Sequence, residues 1–274
     1  MRVNFSKIFG LSFRYPFQRD VYLLLFAVNM VFAIAGWFLN GYFIGDVTNL
    51  ENLAFLDNFI PFLAYAIPLT IAGWLVMIFL VPAYFDNATH FHQGKRKALA
   101  ESFAVSKKRF LPVLAVFIIL GLVVLACLGG LILSAASVFS SPIDFTLLMI
   151  GGLWSIIGII VGIVFVFMTF LSLVFCVVEK ARPLESIKKS WKTAGKNKVN
   201  TLLFLIILIA LYIAVAIIGT IPESVFNVVS GTPQVLSVTS FSFMLVRTVF
   251  NTYLALFAYS SLVSYYFSIK KAKG

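Results

Sequence analysis

Acidic side chains are scarce in this sequence: ten Asp and Glu stand among 274 residues, against 21 Lys and Arg. None of the ten lies inside a long apolar run, and Asp20, Asp86 and Glu179 stop just outside one. Carboxylates at membrane depth are the usual carriers of proton or cation coupling. Their absence from the runs disfavours that mechanism and excludes intramembrane proteolysis by paired aspartates. Cysteine is as sparse, with two residues. Cys127 and Cys176 fall at different depths of separate runs, so no disulfide between them is expected, and both read as small packing residues. The two histidines, His90 and His92, are two residues apart and do not share a helix face. No Cys or carboxylate cluster completes a metal site around them. Phosphate-binding glycine loops, dinucleotide fingerprints, zinc-protease motifs and nucleophile elbows are missing as well. The sequence therefore predicts no catalytic residue, no metal and no cofactor.

What is present is apolar. Hydrophobic residues make up 61% of the chain, charged residues 11%, and the mean hydropathy is +1.03. A soluble domain is about half apolar and about a quarter charged. Six windows, near 21–43, 59–85, 111–138, 147–178, 201–221 and 243–267, each reach the roughly 20 residues that cross a hydrocarbon core. The expected fold is an all-α polytopic membrane protein, one membrane domain over residues 1–274. Ala33-Ile34-Ala35 looks like a signal-peptidase site, but Asn29 interrupts its apolar run and the hydrophobicity continues to Phe43, so it reads as part of an uncleaved first span.

Every Lys and Arg except Arg247 falls in one of four segments: 1–20, 86–110, 179–200 and the tail with Lys270, Lys271 and Lys273. The intervening segments 44–58, 139–146 and 222–240 carry Asp and Glu but no Lys or Arg. Cationic loops are retained on the cytoplasmic side. The pattern predicts both termini on the cytoplasmic side. The pI near 9.7 then reflects contact with anionic headgroups rather than with nucleic acid.

The cytoplasmic segments share a short element: Leu11-Ser12-Phe13, Glu101-Ser102-Phe103 and Lys189-Ser190-Trp191, each followed by basic residues. A basic stretch, an outward span, an acidic loop and a return span follow each time. This reads as three repeats of an interfacial amphipathic helix (near 4–15, 92–108 and 183–194) plus a hairpin, packed around a pseudo-threefold axis. In the third helix Leu184, Ile187, Trp191 and Ala194 form an apolar stripe. Lys107, Lys108, Arg109, Lys188, Lys189 and Lys192 become the candidate headgroup contacts. Gly151, Gly152, Gly158 and Gly162 of the fourth span, with Gly121, Gly129 and Gly130 of the third, allow close helix packing. Pro61 and Pro68 predict a kinked or late-starting second span. Arg247, with Asn251 one turn further in, is the candidate anion or polar site, expected at the outer interface near Asp144 or Glu223.

The run Pro183-Leu184-Glu185-Ser186-Ile187-Lys188-Lys189-Ser190-Trp191-Lys192, with the closing Tyr265-Tyr266, resembles a poorly characterised six-helix prokaryotic membrane family. That family is similar to the membrane domain preceding the catalytic domain of some glycerophosphodiester phosphodiesterases. The resemblance implies a stand-alone membrane domain facing lipid, in the inner membrane of a bacterium or archaeon. The hydrolase activity does not carry over, because the catalytic barrel is absent from the matching segment. The expectation is a non-enzymatic domain that binds lipid or organises an unidentified protein partner. The alternatives are a small-solute transporter or channel using Pro68, Asn29, Arg247 and Asn251, and a lipid-modifying enzyme using Asp86, His90, His92, Glu101, Glu179 and Glu185.

Overall fold

The computed structural model describes residues 3–43, 54–95, 97–139, 145–230 and 238–271, and among these there is no β-strand. In chain order they form α1 (Phe5–Arg14), a 3₁₀ turn (Tyr15–Phe17), α2 (Arg19–Phe43), α3 (Ala54–His92), α4 (Leu99–Phe139), α5 (Phe145–Thr169), α6 (Ser172–Val178), α7 (Pro183–Lys196), α8 (Lys198–Ser230) and α9 (Val238–Lys271). Among the described residues, six stretches are long and apolar enough to cross a membrane: in α2, α3, α4, α5 continued by α6, α8 and α9. The chain is thus an all-α, multi-pass membrane protein.

Local chemistry sets the short elements. The Asn4 side-chain oxygen accepts the Lys7 N–H at 3.0 Å and caps α1. Pro16, lacking an N–H, sits in the 3₁₀ turn that separates α1 from α2. Pro183 opens α7 with its fixed φ, and Glu185 lies in the first turn, where the helix dipole favours an anion. Gly94 (φ +73°) and Lys180 (φ +55°) turn the chain left-handed after α3 and after α6. Such a residue closes a helix end; here Lys95 N–H reaches the His90 carbonyl and Ala181 N–H the Phe175 carbonyl.

Two elements differ from the sequence expectation. No separate helix covers 92–108: α3 runs to His92, and α4 continues unbroken from Leu99 into the third span. Nothing between Leu99 and Leu111 breaks a helix, and Pro112 is carried inside it. The fourth span, expected to be continuous, is interrupted after Thr169, and α6 begins anew at Ser172. In the second span Pro61, Pro68 and Pro82 are all interior, because α3 starts at Ala54 rather than at Pro61.

The chain divides into two compact units, residues 1–107 with 206–274, and residues 108–205. In the first, Tyr15, Tyr84, Phe85 and Phe257 are fully buried. Tyr84 stacks on Tyr259 at 5.9 Å, Tyr15 meets Phe91 at 5.6 Å, and the Tyr15 hydroxyl donates to the Tyr84 carbonyl at 3.1 Å. Burial, reinforced by Tyr84 and Asp86, raises the Tyr15 pKa well above its ordinary 10, so the phenol stays a neutral donor. Further along, Asn29 Nδ2 donates to Thr252 Oγ1 at 2.9 Å and Trp37 Nε1 to Ser240 Oγ at 3.1 Å, tying α2 to α9. Asn29 is thus engaged in helix packing.

In the second unit, α4 and α5 meet through glycine. A Cβ on Gly158 would overlap the Cys127 carbonyl, and one on Gly130 would overlap the backbone of Ser155 and Gly151. A Cβ on Gly151 would lie 2.6 Å from Ser134 Oγ. Gly121 and Gly152 have nothing within 4 Å of such an atom. Helices in lipid associate by this kind of close packing, since no hydrophobic effect drives them together. Gly130→Ala and Gly158→Ala should therefore each destabilise the protein by about 1–3 kcal/mol, as overpacked sites do. Gly121→Ala and Gly152→Ala should be neutral. Thermal unfolding in detergent separates the two pairs, and equal melting temperatures across all four variants would contradict the assignment.

Candidate functional site

Three short helical stretches carry the Ser-aromatic element, and each docks on a long helix. In all three the serine is fully buried: Ser12, Ser102 and Ser190. The following aromatic meets a phenylalanine of the long helix: Phe13 with Phe257 at 4.6 Å, Phe103 with Phe79 at 6.4 Å, and Trp191 with Phe165 at 6.4 Å.

The serines find different partners. Ser12 Oγ donates within its own helix, to the Ile8 carbonyl at 2.8 Å. Ser102 Oγ donates to Asp86 Oδ2 at 2.9 Å, which also accepts Lys97 Nζ at 2.6 Å. Ser190 Oγ lies at the interruption between α5 and α6. It donates to the Met168 carbonyl at 2.9 Å and accepts the Leu171 N–H at 3.2 Å. An interrupted helix frees backbone donors and acceptors, and one hydroxyl here serves one of each.

Ion pairs reinforce two of the docked stretches. Lys97 closes on Asp86 eleven residues earlier, and Lys189 closes on Glu179 ten residues earlier at 3.1 Å. Lys189 also reaches Glu185 at 3.0 Å. The hydrogen bond donated by Lys189 is the main cause lowering the Glu185 pKa, and the bonds Lys189 donates to Glu185 and then to Glu179 raise its own. Of the six candidate headgroup residues, Lys189 is thus held by two carboxylates and Arg109 is half-buried. Lys107, Lys108, Lys188 and Lys192 are exposed.

The buried face of α7 lies beside the apolar stripe read in the sequence and shares Ala194 with it. Ser186, Ser190 and Ala194, four residues apart, are buried. Leu184 is 64% and Trp191 44% exposed. At about 100° per residue, Ile187, Trp191 and Leu184 lie beside the buried face, and Lys188 and Lys192 lie beyond them. Small residues let α7 approach the helices beneath it, which leaves its large apolar side chains outward. Ser102 and Ser106 form a matching buried pair in α4.

Arg247 and Asn251 are both exposed, one turn apart on α9. Asp144 lies outside the described residues, as does the side chain of Glu223. Of the groups considered for interfacial catalysis, Asp86 and His90 lie together, His90 Nδ1 being 3.8 Å from Asp86 Oδ1. The Ser102 hydroxyl donates to the Asp86 carboxylate, His90 Nδ1 is 2.8 Å from the Asp86 carbonyl, and His92 Nε2 contacts Ser260. No group of three metal-ligating side chains occurs among the described residues.

A family model described as Domain of unknown function (DUF7847) matches residues 88–269. The chain belongs to this family. The match takes in Lys97, Ser102, all of α7 and most of α9, hence two of the three Ser-aromatic stretches and the long helix that receives the other. No curated protein and no solved structure matches the chain.

The acid-to-lysine spacings and the small-residue stripes are visible in the sequence once helix ends are known. The hydroxyl bridge at Ser190 is not, because nothing in residues 165–175 announces an interrupted helix. Ser190→Ala should strand the buried Leu171 N–H and the part-buried Met168 carbonyl and cost about 1–3 kcal/mol. Ser268→Ala, which removes only a local bond to the Tyr265 carbonyl, should cost less. Chemical unfolding followed by far-UV circular dichroism would show it. A Ser190→Ala protein as stable as the wild type would remove the bridge from the account.

Proposed function

We propose that the protein is a non-enzymatic, lipid-binding domain of the prokaryotic inner membrane, with both termini cytoplasmic and its basic helices at the inner headgroup plane. The carrying observation is the order of side chains around α7. Buried serines, exposed Leu184 and Trp191, and then exposed Lys188 and Lys192 follow one another around the helix. A helix at a membrane interface keeps its apolar sector in the acyl boundary and its lysines among the phosphates. Lys107 and Lys108, exposed one turn beyond the Ser102–Asp86 anchor, present a second cationic pair.

The recurring docking contacts support reading the three Ser-aromatic stretches as internal repeats of one device. Phe79 and Phe165 receive their aromatics, and Gly94 and Lys180 supply the left-handed turns before two of the stretches. The likeness to the membrane domain of glycerophosphodiester phosphodiesterases belongs to the same proposal. Each juxtamembrane lysine contributes about 1 kcal/mol of attraction to anionic lipid. Spin-labelled lipids report which species the protein holds immobile. The wild type should favour phosphatidylglycerol over phosphatidylcholine, with the preference falling as salt rises. K107Q/K108Q/K188Q/K192Q should lose most of it. An unchanged preference in the quadruple variant would reject the lysine assignment.

A further inference from the structure

We infer that the unit of residues 1–107 with 206–274 holds a specific site for one anionic phospholipid, its acyl chain in a groove between α2, α8 and α9 and its phosphate on Arg19. The inference rests on the membrane-embedded reading above but not on the lysines of α4 and α7, which do not line the groove. The groove has a volume of about 600 Å³ and is walled by Phe17, Leu23, Val215, Val249, Phe250 and Tyr253, among others. That is within the roughly 300–1,000 Å³ of ligand sites.

Its polar groups are few and differ in what they have free. The Tyr22 hydroxyl donates to the Val249 carbonyl and the Tyr253 hydroxyl to the Phe13 carbonyl, each at 3.3 Å. These bonds brace α1 and α2 against α9 and so hold the groove open without a ligand. Arg19 is the one charged residue among the described residues of the lining, and it is exposed. The neighbouring Asp20 lines a separate polar cavity with Lys95, Lys97 and Asn87. An apolar trough carrying a single guanidinium matches a ligand with a hydrocarbon chain and one anionic head. Arginine pairs with phosphate through a planar, two-pronged donor set. Arg19 opens α2, next to the 3₁₀ turn, where the proposed topology puts the inner headgroup plane. A neutral lipid would fill the trough but leave the cation unmatched.

The test uses the full-length protein in nanodiscs of equal phosphatidylglycerol and phosphatidylcholine, released into native mass spectrometry. The wild type should retain one phospholipid under gentle activation, predominantly phosphatidylglycerol. Arg19→Gln should still retain a lipid but lower the phosphatidylglycerol preference about tenfold, the scale of a charged hydrogen bond. Leu23→Trp, which fills the trough from a half-exposed position, should lower retention of either lipid. Circular dichroism and size-exclusion profiles would verify that this variant is folded, and Val215→Trp fills the trough from α8 as an independent check. K188Q/K192Q should leave the retained lipid in place, which separates this site from the lysine contacts. No retained lipid in the wild type, an unaltered lipid ratio in Arg19→Gln, or wild-type retention in both folded tryptophan variants would overturn the site.

Discussion

A polar atom removed from water must find its partner inside the protein, and in this molecule that demand fixes where the short helices lie. Leaving such a group unmet costs about 1–3 kcal/mol. The interruption between α5 and α6 frees a carbonyl at Met168 and an N–H at Leu171, and the Ser190 hydroxyl of α7 satisfies both. α7 is therefore held in position and in rotation by a two-way hydrogen bond. Its small buried stripe then allows close approach, and Trp191 against Phe165 adds an aromatic contact.

From that anchoring the outward chemistry follows. Once Ser186, Ser190 and Ala194 face inward, the helical period sends Leu184 and Trp191 to an adjoining exposed sector and Lys188 and Lys192 beyond it. Lys189 points where Glu179 and Glu185 can hold it, and these ion pairs brace the helix. The stretch that opens α4 is organised differently in detail, with Asp86 as the hub for Lys97 and Ser102. Its outcome is similar: buried serines, a half-buried aromatic and exposed lysines. α1 shows no such ion pair among the described residues and packs Phe9 and Phe13 against Phe257.

Hydrophobic run length alone made the six long helices legible, since crossing a bilayer requires some twenty apolar residues whatever their order. The start of α7 was legible because proline and glutamate act locally. The buried contact face of α7 was not. Its apolar stripe of Leu184, Ile187, Trp191 and Ala194 reads as the side toward the acyl boundary, and Ser186 and Ser190 carry no apolar signal that would mark the contact. Where the surroundings are apolar on both sides, close approach of backbones favours small residues at the contact. The same rule explains Gly130 and Gly158, whose packing role was legible, while the contact partners Cys127 and Ser155 were not. Asn29 looked like a polar site within a span, yet its partner Thr252 is more than two hundred residues away and carries no sequence signal. The lysine pair to Glu179 was hidden for a simpler reason. A turn at Lys180, in a left-handed conformation unusual for a non-glycine residue, folds α7 back onto the helix before it.

The central claim is that α7 lies in the membrane interface with Trp191 at the acyl boundary. The direct measurement is fluorescence quenching of Trp191 in a variant whose other tryptophans, Trp37, Trp74 and Trp154, are phenylalanine, reconstituted with lipids brominated at graded acyl positions. The account predicts the strongest quenching from bromine nearest the headgroup, on a ring that is half exposed in the protein. Absence of quenching by any brominated lipid, or a maximum at the chain terminus, would contradict it.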